Sequence, residues 1–129
     1  MSVLLQLVLV GCGGFVGAVA RYGLGGAAHR LLGAGFPFGT LAVNVLGCFV
    51  IGGLIALAET RQVLGPGARL FFLMGVLGSF TTFSAFGHET LEYLRAGELR
   101  LATLNAAANL VAGVGAVALG RIAGKVIAA

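Results

Sequence analysis

From Gly78 to Glu89 the chain reads GSFTTFSAFGHE, which sets Ser79, Thr81, Thr82, Ser84, His88 and Glu89 among three phenylalanines, Phe80, Phe83 and Phe86. Phe83 and Phe86 are three residues apart, so on a helix they share one face. An aromatic ring is positive at its rim. Two rings turned edge-on to a narrow path can therefore touch a small anion without the full charge that would trap it. Phenylalanine pairs at helical spacing also serve as ordinary core, and the spacing alone leaves both readings open. The asparagines Asn44, Asn105 and Asn109 each carry an NH₂ that an anion can use, and Asn105 and Asn109 lie four apart on one helical face. They form either a polar track or hydrogen-bonded glue between helices. Arg21 is read as either a vestibule cation or a snorkelling anchor.

These groups sit in a chain of 129 residues that is 59% hydrophobic and 9% charged, with mean hydropathy +1.06. So little polar surface cannot cover a water-soluble globule of this size, and the expectation is an all-α membrane protein. Eight basic residues against four acids give a formal charge of +4. The basic residues are scattered singly between apolar runs, which argues against a nucleic-acid face and for interfacial anchors. No charged start with a short apolar core and a small-residue cleavage site is present, so no cleaved signal is expected. Cys12 and Cys48 lie in apolar runs without motif spacing and are read as small packing residues.

A helix needs about 20 mostly apolar residues to cross the hydrocarbon. Four segments qualify: residues 3–20, 40–58, 70–94 and 101–122, expected to form one domain over 1–129. The connectors YGLGGAAHRLLGAGFPFG, ETRQVLGPGAR and RAGELR hold both prolines and most charges. Glycine accounts for 23 residues, and in lipid small residues let helix backbones approach closely. Gly13 and Gly17 form one such pair. Ala108, Ala112, Ala116, Gly120 and Gly124 make a four-spaced ridge on the last span.

The charges also bear on orientation, which an excess of Lys and Arg on the cytoplasmic side normally sets. Arg61, Arg69, Arg121 and Lys125 fall on one side, against Arg21, Arg30, Arg95 and Arg100 on the other. An even count predicts dual topology, with copies able to pair antiparallel, whereas discounting Arg21 leaves a weak bias. Within the third span, Gly75, Gly78 and the hydroxyl run weaken the helix, and a break is expected between Gly78 and Thr82. Carbonyls freed there need a partner that lipid cannot provide, such as a cation or a polar channel wall. Glu89 has no assigned role; His88, Arg95 or a partner chain are candidate companions.

Three stretches taken together, GGFVGAVARY at 13–22, FPFGTLAVNVLGCFVIG at 36–52 and GVLGSFTTFSAF at 75–86 followed by HET, resemble the Fluc (CrcB) family of bacterial fluoride channels. The resemblance is collinear over the first three spans and weak in the fourth. It implies an antiparallel, dual-topology homodimer in the bacterial inner membrane, with two pores and passive fluoride efflux. Phe83 and Phe86 match the rings that line the family's fluoride path, and Asn44 matches its pore asparagine. Gly78 and Thr81 match broken-helix positions whose carbonyls hold a structural sodium ion between subunits. Arg21 falls near the aqueous entrance. With Thr82, Ser84, Asn105 and Asn109 added, these are the candidate path residues. Two departures stand out: Ala85 replaces a threonine of the family's TTFSTF, and Asn105 and Asn109 stand where relatives usually carry Tyr and Ser.

Other classes fit less well. A small dual-topology, proton-coupled multidrug exporter is the alternative, but it needs a membrane-embedded acid, and the first two spans have none in their interiors. A purely structural subunit would carry no flux. An enzyme is not expected, since no nucleophile–base pair, metal set or phosphate loop is found.

Overall fold

The computed structural model describes residues 1–61 and 64–129. Every element among them is helical, and four segments are long and apolar enough to cross a membrane. Helix α1 spans Val3–Leu32, α2 spans Phe38–Arg61, α4 spans Phe83–Arg95 and α5 spans Leu99–Ala128. Between α2 and α4, α3 covers residues 66–80 in three continuous stretches: Pro66–Arg69, a wider-wound π-helical stretch Leu70–Leu77, and Gly78–Phe80. Helix α1 packs along α3 and α2 along α5, with α1–α2 and α4–α5 contacts closing the bundle.

Glycine permits these close crossings. A Cβ on Gly13 would lie 3.1 Å from the Gly75 Cα, and one on Gly17 would collide with the Val76 carbonyl oxygen. Gly13 and Gly17 are the buried residues of α1, as their pairing predicts. On α5 a Cβ at Gly120 would collide with the Phe49 carbonyl oxygen, and one at Gly124 would come within 2.9 Å of the Ala56 Cβ. The expected ridge on α5 is only partly correct. Ala116, Gly120 and Gly124 are buried, whereas Ala108 is half-buried and Ala112 exposed; the seam continues instead through Gly113, Asn105 and Ala102. A strict four-residue spacing precesses by about 40° per step on a helix of 3.6 residues per turn, so it walks off the contact face.

Helix ends differ from the expected spans. Helix α1 continues through YGLGGAAHRLL, which the glycine content marked as a connector, and stops only at Gly33, whose φ of 87° is left-handed and whose N–H donates to the His29 carbonyl at 3.0 Å. A helical glycine costs only about 1 kcal/mol. One of these glycines, Gly25, serves packing: a Cβ on Gly39 would sit 2.7 Å from the Gly25 carbonyl oxygen. Helix α5 runs six residues past Ile122 to Ala128. The turn from α4 to α5 is tight. Gly97 (φ 77°) donates to the Leu94 carbonyl, and the Glu98 N–H reaches Tyr93 at 2.8 Å, the paired bonds of a Schellman cap. The π-helical winding of Leu70–Leu77, where the Gly78 N–H reaches the Leu73 carbonyl, has no signal in the sequence.

Apart from Arg21, the basic residues fall at the two ends of the bundle in the expected sets. Arg121 pairs with Glu59 at 2.8 Å and the Arg61 Nε donates to the Ala128 carbonyl at 2.6 Å, which brings the end of α2 together with that of α5. Arg21 lies well inside α1 rather than at its foot, which leaves four basic residues against three at the bundle ends.

Candidate functional site

The third span breaks at Thr81 and Thr82, where the backbone turns extended (φ −84°, ψ 157° and φ −148°, ψ 111°). Gly78 itself remains helical, so the break falls at the last two residues of the expected window. Gly47 of α2 makes room for it: a Cβ there would collide with the Thr81 methyl and lie 3.2 Å from the Phe80 ring.

Asn44 holds the break open. Its Oδ1 accepts the Thr82 N–H at 2.8 Å, and its Nδ2 donates to the Thr82 carbonyl at 3.2 Å and to Asn109 Oδ1 at 3.0 Å. The amide thus pairs with the Thr82 backbone as a neighbouring strand would. In a continuous helix the Thr82 and Ala85 N–H groups would donate to the Gly78 and Thr81 carbonyls. Asn44 takes the first, and Thr82 Oγ1, capping α4, takes the second at 3.2 Å. The Gly78 and Thr81 carbonyls are thus among the four, from Gly78 to Thr81, that the break leaves without their helical donors.

Two open pockets share this point in their walls. One, of about 730 Å³, opens between α1, α2 and α4 and is lined by Arg21, His29, Thr40, Thr82, Ser84 and Glu89 among others. The other, of about 320 Å³, is lined by Asn44, Cys48, Gly78, Thr81, Thr82, Phe83, Phe86 and Asn109 with leucines around them, and has no charged residue in its wall. Thr82 lines both. Outside the larger cavity a third, of about 530 Å³, shares His29, Pro37 and Glu89 with it and reaches His88, Glu92 and Tyr93. The three pockets thus share wall residues in series, from His88 and Tyr93 to Phe83 and Phe86.

Phe83 and Phe86 pack edge-on, with centroids 5.3 Å apart and planes at 61°. Phe83 is 80% exposed on the single chain. Thr82 Oγ1 and Ser84 Oγ lie 3.2 Å apart, and α4 begins beside them with its first N–H groups outside the helical ladder.

Not every candidate lines this route. Asn105 is 0% exposed and borders neither cavity. Its Nδ2 donates to Thr90 Oγ1, and its Oδ1 and backbone carbonyl both accept from Asn109 Nδ2, each at 3.0 Å. Asn109 borders the smaller cavity, but its two amide hydrogens, like those of Asn44, point to protein acceptors. For Asn105, the reading as glue is the one its contacts match. Sequence reasoning also missed Thr40, whose hydroxyl donates to Glu89 Oε1. Glu89 Oε2 is buried without a hydrogen-bond partner among the described residues. An acid in an apolar span signals that a partner exists, but Thr40 is 49 residues away in sequence, and only folding joins them.

A family model described as "CrcB-like protein, Camphor Resistance (CrcB)" matches residues 8–121. Among similar proteins, one from Thermus thermophilus is 46% identical over 123 residues, 95% of this chain and 98% of its own length. Another, from Shewanella amazonensis, is 45% identical over 116 residues, 90% of this chain and 93% of the relative. A third, from Clostridium novyi, is 34% identical over 127 residues, 98% and 99% respectively. Each of the three is named "Fluoride-specific ion channel FluC". With its four membrane-length helices and a match that extends over nearly its whole length, the chain is a multi-pass membrane protein and belongs to the CrcB family.

Proposed function

We propose that this protein is a passive fluoride channel of the bacterial inner membrane, letting fluoride leave the cytoplasm down its electrochemical gradient. The observation that carries the reading is the pair of open pockets that share Thr82 as a wall residue, where a broken helix brings hydroxyls, backbone N–H groups and two aromatic rims beside a wall without charged residues. The names of the relatives support the choice of anion.

Fluoride is small and strongly hydrated, so its path must replace water along its length without binding it tightly anywhere. Arg21 in the wide cavity attracts the anion while water still surrounds it. At the break, the hydroxyls of Thr82 and Ser84, the free N–H groups and the positive end of the α4 dipole take over. Phe83 and Phe86 then offer ring edges in a wall without cations. Asn44 contributes by holding the extended Thr82 backbone in place. Cation export suits this route poorly, because Arg21 shares the wide cavity with Glu89 and repels a cation bound there.

The same reading takes two antiparallel copies as the working unit. A lone chain would leave the exposed Gly78 and the Phe83 ring, beside unsatisfied carbonyls, facing lipid that cannot satisfy them. The nearly even distribution of charge allows both insertions. Neutral carbonyl oxygens suit sodium, and the diverted donors of Gly78 and Thr81 fit a site built from those carbonyls in each copy. When bound, sodium supplies a fixed positive charge and an oxygen-coordinating anchor.

The test is fluoride efflux from proteoliposomes loaded with fluoride or chloride. Rapid fluoride release, no chloride release, and loss of the fluoride signal in Phe83→Ile are expected. Equal chloride flux would refute the selectivity, and absence of flux would refute the channel.

A further inference from the structure

The three asparagines of the chain are its complete set, and all three lie in one hydrogen-bonded series that crosses from α4 to α5 to α2. We propose that Asn105, oriented by Thr90, is a positioning residue that, acting with the Thr82 backbone, locks which way the Asn44 amide faces, and so helps hold the break at Thr82 from outside the conducting route. The inference rests on the channel reading only for its functional consequence.

The argument follows from counting donors. Thr90 has one hydroxyl hydrogen, and it is committed to the Phe86 carbonyl at 2.8 Å. Toward Asn105, Thr90 can therefore only accept. Asn105 must turn its NH₂ to Thr90 and its Oδ1 to Asn109. Asn109, receiving an acceptor, must present its own NH₂ there and leave Oδ1 for Asn44. Asn44 then has its NH₂ toward α5 and its Oδ1 toward the Thr82 N–H. Reversing any one amide places donor against donor or oxygen against oxygen somewhere along the series. Reversal at Asn44 would set an NH₂ against the Thr82 N–H and remove the clamp. Each amide is nearly symmetric in shape, so packing alone does not choose its orientation; groups of fixed polarity do, the Thr82 N–H and carbonyl at one end of the series, the Asn105 backbone carbonyl at Asn109, and at the other end Thr90, whose single hydroxyl hydrogen is already committed. Among the described residues Asn105 is the one polar side chain counted as buried, which suits a role inside the helix contact rather than on a wetted wall.

Selective ¹⁵N-asparagine labelling gives a direct readout, since only three side-chain NH₂ pairs can appear. In Thr90→Val the Asn44 pair is expected to shift or broaden although Asn44 is on a different helix, and fluoride flux to fall by roughly tenfold, the scale of losing one buried amide hydrogen bond. Thr90→Ser, which restores the hydroxyl, is expected to return both to the wild-type pattern. Asn105→Leu should perturb the Asn44 pair as Thr90→Val does. If Thr90→Val does not purify, Thr90→Ala serves the same arm. An Asn44 pair unmoved in the Thr90 and Asn105 variants overturns the proposal, as does Thr90→Ser behaving like Thr90→Val. The resonance arm needs no conduction, so wild-type protein that passes no fluoride would defeat the channel reading and leave this inference to be decided by the spectra.

Discussion

Replacing Asn44 by leucine, similar in size but without polar atoms, removes three hydrogen bonds at once, two to the Thr82 backbone and one to Asn109. Hydrogen bonds between membrane helices are worth about 0.6 kcal/mol on average, so the three together amount to about 1.8 kcal/mol, roughly a twentyfold shift in population. This is a lower bound. The Thr82 N–H would be left unsatisfied at a cost of about 1–3 kcal/mol, and the nearest remedy is to re-donate to the Gly78 carbonyl and close the break into continuous helix. Closure would turn Phe83 and Phe86 relative to α3 and rebuild the Thr82 wall that the two pockets share. Fluoride efflux from proteoliposomes should fall at least twentyfold in Asn44→Leu, while the Thr82 amide becomes more protected from hydrogen exchange than in the wild type. Wild-type flux, or a Thr82 amide that exchanges faster while flux persists, would refute the idea that Asn44 holds the break open.

Helix packing makes a contrasting pair of expectations. Gly120→Ala drives a methyl into the Phe49 carbonyl and should cost about 2 kcal/mol in a denaturant titration, whereas Gly115→Ala, with nothing within 4 Å, should be neutral or slightly stabilising. For topology, Glu98→Cys in a Cys12→Ser, Cys48→Ser background puts one thiol in an exposed turn. An impermeant reagent should label about half of the copies from each side of the membrane if insertion is dual, and one side only if it is not. The sodium reading predicts a lower thermal midpoint for purified protein when sodium is replaced by a bulky organic cation, and no change if the Gly78 and Thr81 carbonyls hold no ion.

The amino-acid order alone determines the parts that depend on local chemistry. Hydropathy over windows of about 20 residues marks the four spans, because crossing the hydrocarbon is a property of each segment by itself. The hydroxyl run after Gly75 and Gly78 marks the break to within three residues, because helix propensity is also local. The close approach at Gly13 and Gly17 could be read because only small residues allow it. Tertiary structure decided everything that depends on how one helix is rotated against another. Helix α1 continues past its glycines to Leu32, and α2 packs closely on one of them, Gly25, at Gly39. The seam of α5 passes through Gly113 and Asn105 rather than Ala112, because contact follows 3.6 residues per turn. An asparagine can donate or accept, and its composition gives no hint which. Whether Asn44, Asn105 or Asn109 faces an anion, a backbone or another amide was fixed only when folding set Thr82 and Thr90 against them.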